Sequence, residues 1–281
     1  MKKHLKTTIF GIVFVGLICI FSGCFTAKKQ GAINFPSEGM FQFGEHEAFI
    51  QMPDHYNPDK VYPLILFFHG RGGDAHQILL DDFKLFLSKA RQRGYILVAP
   101  SCGSDSWMNI QAETLSVDLL KFLNSHLSLD QNKLYVMGMS MGGGAALTFT
   151  AHHSKKVSAV CDLIGVTDFI RFYKEGNYNQ SIAGAFGDSP DQCPQMYRQR
   201  SAVYNIQQLK TVPILIIHGD QDRVVPLWNS QILYNKLKSA NAKVELIIVP
   251  GMEHKTKIIS GQEDRILDFF EAADNAESLR K

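Results

Sequence analysis

Short apolar runs alternate along the chain with stretches whose apolar residues recur at helical spacing. Residues 62–68 form a continuous apolar run of the kind found in strands that are covered on both faces of a sheet. Similar runs follow at 95–100, 134–137, 157–164, 212–217 and 244–249. Helical spacing recurs between them, at 79–92, 112–127, 228–239 and 264–273. Strands that alternate with helices in this way predict an α/β fold with a mostly parallel central sheet flanked by helices.

Two stretches depart from this alternation. Residues 39–52 alternate in part between apolar and polar positions, which predicts an antiparallel hairpin ahead of the parallel strands. Residues from 167 to about 209 are rich in Gly, Asn, Gln, Pro and aromatic residues and contain no long periodic run. We expect this second stretch, called the 167–209 insertion below, to be a short excursion with small helices over the active-site face of the sheet.

The N-terminal residues have the pattern of an export signal. A basic start is followed by an apolar run at 9–21, and small residues then precede Cys24. This pattern resembles a bacterial lipoprotein signal, which implies cleavage before Cys24 and lipidation of that cysteine. We therefore expect a signal peptide at 1–23, a tether at 24–36 and one domain at 37–281. The expected location is the bacterial cell envelope, with a lipid anchor in a membrane; ordinary secretion or an uncleaved anchor is the alternative.

Composition narrows the classes of function. The 281 residues include 29 Lys or Arg and 27 Asp or Glu, for a formal net charge of +2. This balance argues against a nucleic-acid partner or a strongly polyanionic substrate. No Cys or His spacing typical of a metal site is present, so we expect neither a metal nor a cofactor. The adjacent His152 and His153 are expected at a solvated helix end, because neighbouring residues do not share a helix face.

Glycines surround one serine directly after a predicted strand. The run at 134–137 leads into Gly138-Met139-Ser140-Met141-Gly142-Gly143, and small residues compatible with a helix follow. Glycines at 138 and 142 leave room for a tight turn between strand and helix, with Ser140 at its apex. The start of the helix directs main-chain N–H groups toward the same point. We expect Ser140 to be a catalytic nucleophile; the alternative is a glycine-rich turn whose serine caps a helix.

A base and an acid follow two later strands. His254 comes shortly after the strand at 244–249, and Asp220 and Asp222 both follow the strand at 212–217. The chain order of Ser140, an acidic residue and His254 is the one found in α/β-hydrolases. His69 and His218 also end predicted strands, and we expect them to bond loop backbone instead.

An oxyanion hole requires two main-chain N–H groups. We expect the N–H groups of Met141, which follows the nucleophile, and of Arg71, in the glycine-rich loop after the strand at 62–68. The guanidinium of Arg71 has two candidate roles, as a ligand for a substrate carboxylate or as a solvated surface group. Trp107, Phe172 and Tyr173 are candidates for lining the substrate cleft, with packing of the insertion against the domain as the alternative.

Four motifs carry a resemblance to a known family. They are His69-Gly70-x-Gly72-Gly73, Gly138-x-Ser140-x-Gly142-Gly143, His218-Gly219-Asp220-x-Asp222-x-x-Val225-Pro226 and Gly251-x-x-His254. Together they resemble the α/β-hydrolase superfamily, in the branch of dienelactone hydrolases, carboxylesterases and prolyl-oligopeptidase catalytic domains. The resemblance implies an α/β-hydrolase fold and selects Asp222 as the acid of the triad, which leaves Asp220 to brace the loop. Dienelactone hydrolases use a cysteine nucleophile, so Ser140 argues against that activity.

Three hypotheses for function follow. The first is an exported serine hydrolase that cleaves carboxylic esters of small molecules through an acyl-enzyme. The second is a serine peptidase of the prolyl-oligopeptidase type that acts on short peptides. The third is a surface-anchored binding protein that uses the same scaffold without catalysis, because a fold alone does not determine a function.

Overall fold

A computed structural model describes residues 34–176 and 178–278, with side chains described up to residue 273. The predicted signal peptide, Cys24 and all but the last three residues of the predicted tether lie outside the described residues. Across the described part of the chain, no helix is both long enough and apolar enough to cross a membrane.

The strands form a single mixed sheet. Their bounds are β1 Glu38–Phe43, β2 His46–Gln51, β3 Tyr62–Phe68, β4 Ile96–Pro100, β5 Leu129–Met139, β6 Val157–Leu163, β7 Ile214–Gly219 and β8 Val244–Val249. Their order across the sheet is β1-β2-β4-β3-β5-β6-β7-β8. β2 is antiparallel to both β1 and β4, and the remaining pairs are parallel. The α/β-hydrolase fold and the opening hairpin predicted from the sequence are therefore confirmed.

Helices connect the strands and cover both faces. Their bounds are α1 Lys84–Gln92, α2 Ile110–His126, α3 Met141–His152, α4 Phe169–Glu175, α5 Asn179–Phe186, α6 Pro194–Arg200, α7 Ile206–Leu209, α8 Trp228–Ser239 and α9 Glu263–Ser278. Alternate residues of β3 point to opposite faces, so Leu66 packs with α2, α3 and α8 while Phe67 packs with α1 and α9. Two apolar cores thus enclose the sheet, which explains the continuous apolar runs of its central strands.

Two elements start five residues away from the predicted position. The helix expected at 79–92 begins only at Lys84, because Leu80 adopts an extended backbone (φ −60°, ψ 149°) between two short 3-10 turns. β5 begins at Leu129, five residues ahead of the predicted run, because Leu129 pairs with Tyr62 before a shift of register. Neither difference moves the residues at the carboxyl ends of the strands, where the candidate site lies.

The 167–209 insertion consists mainly of four short helices, α4 to α7. Its apolar side chains form a third cluster that includes Phe169, Phe172 and Tyr197. The same cluster contains Trp107, Met141 and Val225, which belong to loops and a helix at the carboxyl edge of the sheet. The insertion is therefore packed directly beside the predicted nucleophile.

Candidate active site

The backbone at Ser140 makes a tight turn between β5 and α3. Ser140 has φ 58° and ψ −118°, a conformation that non-glycine residues rarely adopt. Its N–H donates to the carbonyl of Leu163 (2.8 Å), at the end of β6. A Cβ at Gly142 would lie 2.6 Å from the carbonyl oxygen of His69 and still closer to that of Phe68. The close approach of three strand ends therefore requires glycine there and holds the serine at the apex of the turn.

Three side chains predicted from distant parts of the chain meet at this turn. The hydroxyl of Ser140 donates to His254 Nε2 at 2.8 Å, and His254 Nδ1 donates to Asp222 Oδ2 at 2.6 Å. The carboxylate of Asp222 is fully buried, whereas 16% of the His254 side chain is exposed. The imidazole can thus accept a proton on the side of the serine while its other nitrogen stays bonded to a carboxylate.

The two aspartates of the loop after β7 have different surroundings. Asp222 Oδ1 accepts hydrogen bonds from the N–H groups of Val224 (2.9 Å) and Val225 (2.8 Å). Asp220 Oδ1 accepts the N–H of Gly251 (2.7 Å) and so ties the loop after β7 to the loop after β8. Asp220 therefore braces the loop, as expected, and Asp222 is the aspartate that reaches the histidine.

His218 and His69 bond loop backbone, as the sequence predicts. His218 Nε2 donates to the carbonyl of Val225 (2.8 Å), and its Nδ1 lies 2.7 Å from Ser230 Oγ. His69 Nδ1 donates to the carbonyl of Gly70 (2.9 Å), and its Nε2 accepts the N–H of Cys102 (3.3 Å). Burial lowers the pKa of both imidazoles, so both are neutral near pH 7.

The expected oxyanion donors have free N–H groups. Within the described residues, neither the N–H of Arg71 nor that of Met141 donates to another protein group. The neighbours of Arg71 are bonded: Gly70 donates to Gln77 Oε1 and Gly72 to the carbonyl of Ser104 (2.7 Å). These two hydrogen bonds fix the loop on both sides of the free N–H group of Arg71.

The side chain of Arg71 is not a free surface group. Its Nε lies 2.6 Å from Asp105 Oδ1, and the guanidinium carbon lies 4.9 Å from the centroid of the Tyr178 ring. The side chain nevertheless keeps 41% of its surface exposed. The solvated role considered from the sequence therefore agrees with this exposure, although the guanidinium is also paired and stacked, and a role in binding a substrate carboxylate stays a prediction.

The three aromatic candidates for the substrate cleft differ in exposure. Trp107 and Phe172 are only 2% and 3% exposed, and Trp107 packs edge-to-face on Phe169 with 5.8 Å between ring centroids. Tyr173 is half-buried and packs edge-to-face on Tyr197 at 5.7 Å. Trp107 and Phe172 thus pack the insertion onto the domain, and a role of any of the three in binding substrate stays a prediction.

Sequence reasoning missed a buried carboxyl group beneath the serine turn. Asp162 in β6 is 0% exposed, and neither of its oxygens has a hydrogen-bond partner in the described part of the chain. Burial raises the pKa of Asp162 to about 7, although the dipole of the nearby Gly165 N–H, which does not complete a hydrogen bond, opposes the shift. A single charged residue inside the apolar run at 157–164 was the signal that could have revealed it.

His152 and His153 lie at the C-terminal end of α3, and His152 is exposed, as expected, but their rings share one partner that was not expected. Both imidazoles bind Glu113 Oε1, at 2.9 and 3.1 Å, and Arg200 binds the other carboxylate oxygen. The reason is that α3 ends at His152, so His153 leaves helical geometry (φ −122°, ψ 31°) and its ring turns to the same carboxylate. Burial alone would raise the pKa of Glu113, but these hydrogen bonds hold it well below its usual range. Among residues 34–176 and 178–273, where side chains are described, no group of three or more His, Cys, Asp or Glu is arranged to hold a metal ion.

The sequence is similar to a known protein family and to several curated proteins. The chain matches the sequence model of the prolyl oligopeptidase family over residues 116–275. It is 29% identical over 149 residues to the probable feruloyl esterase C of Aspergillus oryzae, a match that covers 51% of this chain and 53% of that protein. It is 25% identical over 126 residues to the uncharacterized peptidase YtmA of Bacillus subtilis, covering 44% and 49%. The match spans about half the length of these curated relatives.

The fold also matches solved structures. An acylaminoacyl peptidase from Pyrococcus horikoshii superposes with a TM-score of 0.68 and 18% sequence identity. The match covers 84% of this chain and 41% of that chain. At this level of identity, the likeness establishes the shared fold and nothing finer.

Proposed function

The chain belongs to the prolyl oligopeptidase family of α/β-hydrolases, and we propose that it is a serine hydrolase that cleaves carboxylic esters through an acyl-enzyme. One observation carries the proposal: Ser140, His254 and Asp222 form a continuous hydrogen-bonded chain with distances of 2.8 and 2.6 Å. A serine hydroxyl is a poor nucleophile near pH 7 unless a base accepts its proton. His254 is in contact with that proton.

The proposed reaction needs only groups of this chain, the ester and water. Ser140 Oγ attacks the carbonyl carbon while its proton passes to His254 Nε2, and Asp222 stabilises the imidazolium that forms. The N–H groups of Arg71 and Met141 bind the oxyanion. When the carbon–oxygen bond to the alcohol breaks, His254 returns the proton to the departing alcohol. Water then attacks the acyl-enzyme by the same proton route and releases the acid and free Ser140.

Ester substrates are the first choice because the feruloyl esterase among the relatives is named for that activity. The peptidase hypothesis is the second candidate, favoured by the match to the prolyl oligopeptidase family and by the relative named as a peptidase. The two reactions differ in their leaving group. An amine must be protonated as it departs, whereas an alcohol depends less on protonation. Substrates that differ only in this bond therefore discriminate between them.

The test compares the purified wild-type chain with Ser140→Ala on p-nitrophenyl esters, methyl ferulate and aminoacyl p-nitroanilides. We expect ester hydrolysis by the wild type, a much slower reaction with the anilides, and loss of both in the variant. A fluorophosphonate probe should label the wild type and not Ser140→Ala. Equal ester hydrolysis by the two proteins would refute the proposal, and a wild type that is neither labelled nor active would favour the binding-protein hypothesis.

We also propose that the protein is exported and anchored through a lipid on Cys24, with the membrane as its partner. This proposal is supported by the sequence pattern at 1–24. In a bacterial host, the wild type should incorporate labelled palmitate and fractionate with membranes, whereas Cys24→Ala should not incorporate the label. Equal incorporation by both proteins would contradict it.

A further inference from the structure

The hydroxyl of Ser181, in α5 of the insertion, is the centre of a small polar network. It donates to Asp105 Oδ1 at 2.8 Å and accepts the indole N–H of Trp107 at 2.7 Å. A longer contact of 3.4 Å joins it to Arg71 Nε. A hydroxyl has one donor and two acceptor positions, so these three contacts use all of them. Ser181 thus joins three segments that are far apart in the sequence.

One of these segments is the loop that carries the proposed oxyanion donor. The guanidinium of Arg71 is held by Asp105 at 2.6 Å and lies over the ring of Tyr178, also in the insertion. Beside it, Gly72 donates its N–H to Ser104 (2.7 Å). The main chain at Arg71 is therefore tied to residues 101–109, the loop between β4 and α2, and that loop is tied to the insertion by Ser181.

The 101–109 loop has a strained backbone where it meets Ser181. Trp107 and Met108 are consecutive non-glycine residues with positive φ values, 46° and 55°. Non-glycine residues rarely adopt such values, and the conformation persists only where the surroundings hold it. The indole of Trp107 is held by Ser181 Oγ and by the rings of Phe169 and Tyr178. The insertion therefore maintains a loop conformation that the backbone alone would not favour.

We propose that Ser181 is a positioning residue of the reaction: through Asp105 and the 101–109 loop it holds the main-chain N–H of Arg71 where the oxyanion forms. The inference rests on the proposed function. The network contributes less to stability than to the rate, because its Arg71 and Asp105 side chains keep 41% and 46% of their surface exposed and exposed ion pairs are weak. Its effect on the rate is much larger, since a donor displaced by about 1 Å can cost on the order of 100-fold.

The test is Ser181→Ala, with Ser189→Ala as the matched control. Ser189 lies in the same insertion, and its hydroxyl takes no part in the hydrogen bonds of the described residues. We expect Ser181→Ala to lower kcat for ester hydrolysis about 10- to 100-fold with KM within about twofold, because an oxyanion contact is made only in the transition state. Ser189→Ala should keep the wild-type thermal midpoint, whereas Ser181→Ala should lower it by only about a few degrees, because the indole N–H of Trp107 loses its acceptor. Ser181→Thr, which retains the hydroxyl, should restore most of kcat.

Two further measurements identify the route through Asp105. Asp105→Ala should lower kcat as Ser181→Ala does, and the double variant should be no slower than either one, because residues of one network are not additive. Hydrogen exchange of the peptide that contains residues 69–73 should become faster in Ser181→Ala and stay unchanged in Ser189→Ala. Wild-type kcat and exchange in Ser181→Ala would overturn this inference alone. A wild type without esterase activity would overturn it together with the proposed function.

Discussion

The serine turn and the 167–209 insertion border the same site but are held by different forces. At the turn, main-chain atoms from several strands, joined at residue 143 by the carboxylate of Asp162, approach so closely that residues 138, 142 and 143 have no space for a side chain. In the insertion, many contacts with the domain are made by side chains, among them aromatic rings, the hydroxyl of Ser181 and the guanidinium of Arg200, and Gly184 has no atom within 4 Å of the position of a Cβ. The geometry of the reacting groups therefore depends on backbone packing. The region beside them depends more on side-chain contacts, and we expect it to tolerate substitution better than the turn.

The largest expected effect concerns the reacting groups at the turn. His254→Ala and Ser140→Ala should each lower kcat for esters about 10⁴- to 10⁶-fold, and the double variant should be no slower than either one. The reason is that the base is useful only when the nucleophile is present. Steady-state kinetics of the three variants, with circular dichroism as a control for folding, measures this. Additive losses would show that Ser140 and His254 do not act as one unit.

The contrast between turn and insertion also explains what the sequence could predict. The turn and the positions of Ser140 and His254 follow from local patterns, an apolar run that ends in glycines or in a polar loop, whereas the choice of Asp222 over Asp220 follows from the resemblance to the α/β-hydrolase superfamily. The contact of Ser181 with Arg71 joins residues 110 positions apart, and no periodicity reports such a pair. The burial of Asp162 depends on the helix that packs across β6. The extended backbone at Leu80 depends on tertiary packing, which the amphipathic pattern of residues 79–92 does not report.

The second effect is a loss of stability at the turn. In Gly142→Ala, the new Cβ would overlap the carbonyl oxygen of Phe68 and lie 2.6 Å from that of His69. Both contacts are backbone atoms of a central strand and its end, so they cannot move aside without shifting β3. We expect the variant to lose at least about 3 kcal/mol or to fail to fold, measured by thermal unfolding. A midpoint within 2 °C or so of the wild type would contradict the close approach.

The third effect is a pH-dependent loss of folding stability, caused by Asp162 beneath the turn. The unfolded chain ionises Asp162 near its ordinary pKa of 3.8, whereas burial raises the pKa in the fold to about 7. Between these values the folded state binds more protons, so stability falls as the pH rises from about 4 to 7, by an amount on the order of 4 kcal/mol. The thermal midpoint should therefore fall less between pH 4 and pH 8 in Asp162→Asn than in the wild type. Asp191→Asn, at an exposed site in the insertion, should retain the wild-type dependence.

The smallest expected effect concerns the insertion, which we expect to tolerate substitution. Gly184 lies inside α5 on the exposed surface, with a negative φ and open space around it. Gly184→Ala should therefore stabilise the helix by about 0.5–1 kcal/mol and leave kcat unchanged. Gly187, which caps the same helix with φ 100°, is the matched control, and Gly187→Ala should be destabilising because L residues avoid that conformation. The thermal midpoints of the two variants measure both predicted changes in stability. If Gly184→Ala were as harmful as Gly142→Ala, the insertion would be packed as strictly as the turn, and the distinction between the two regions would fail.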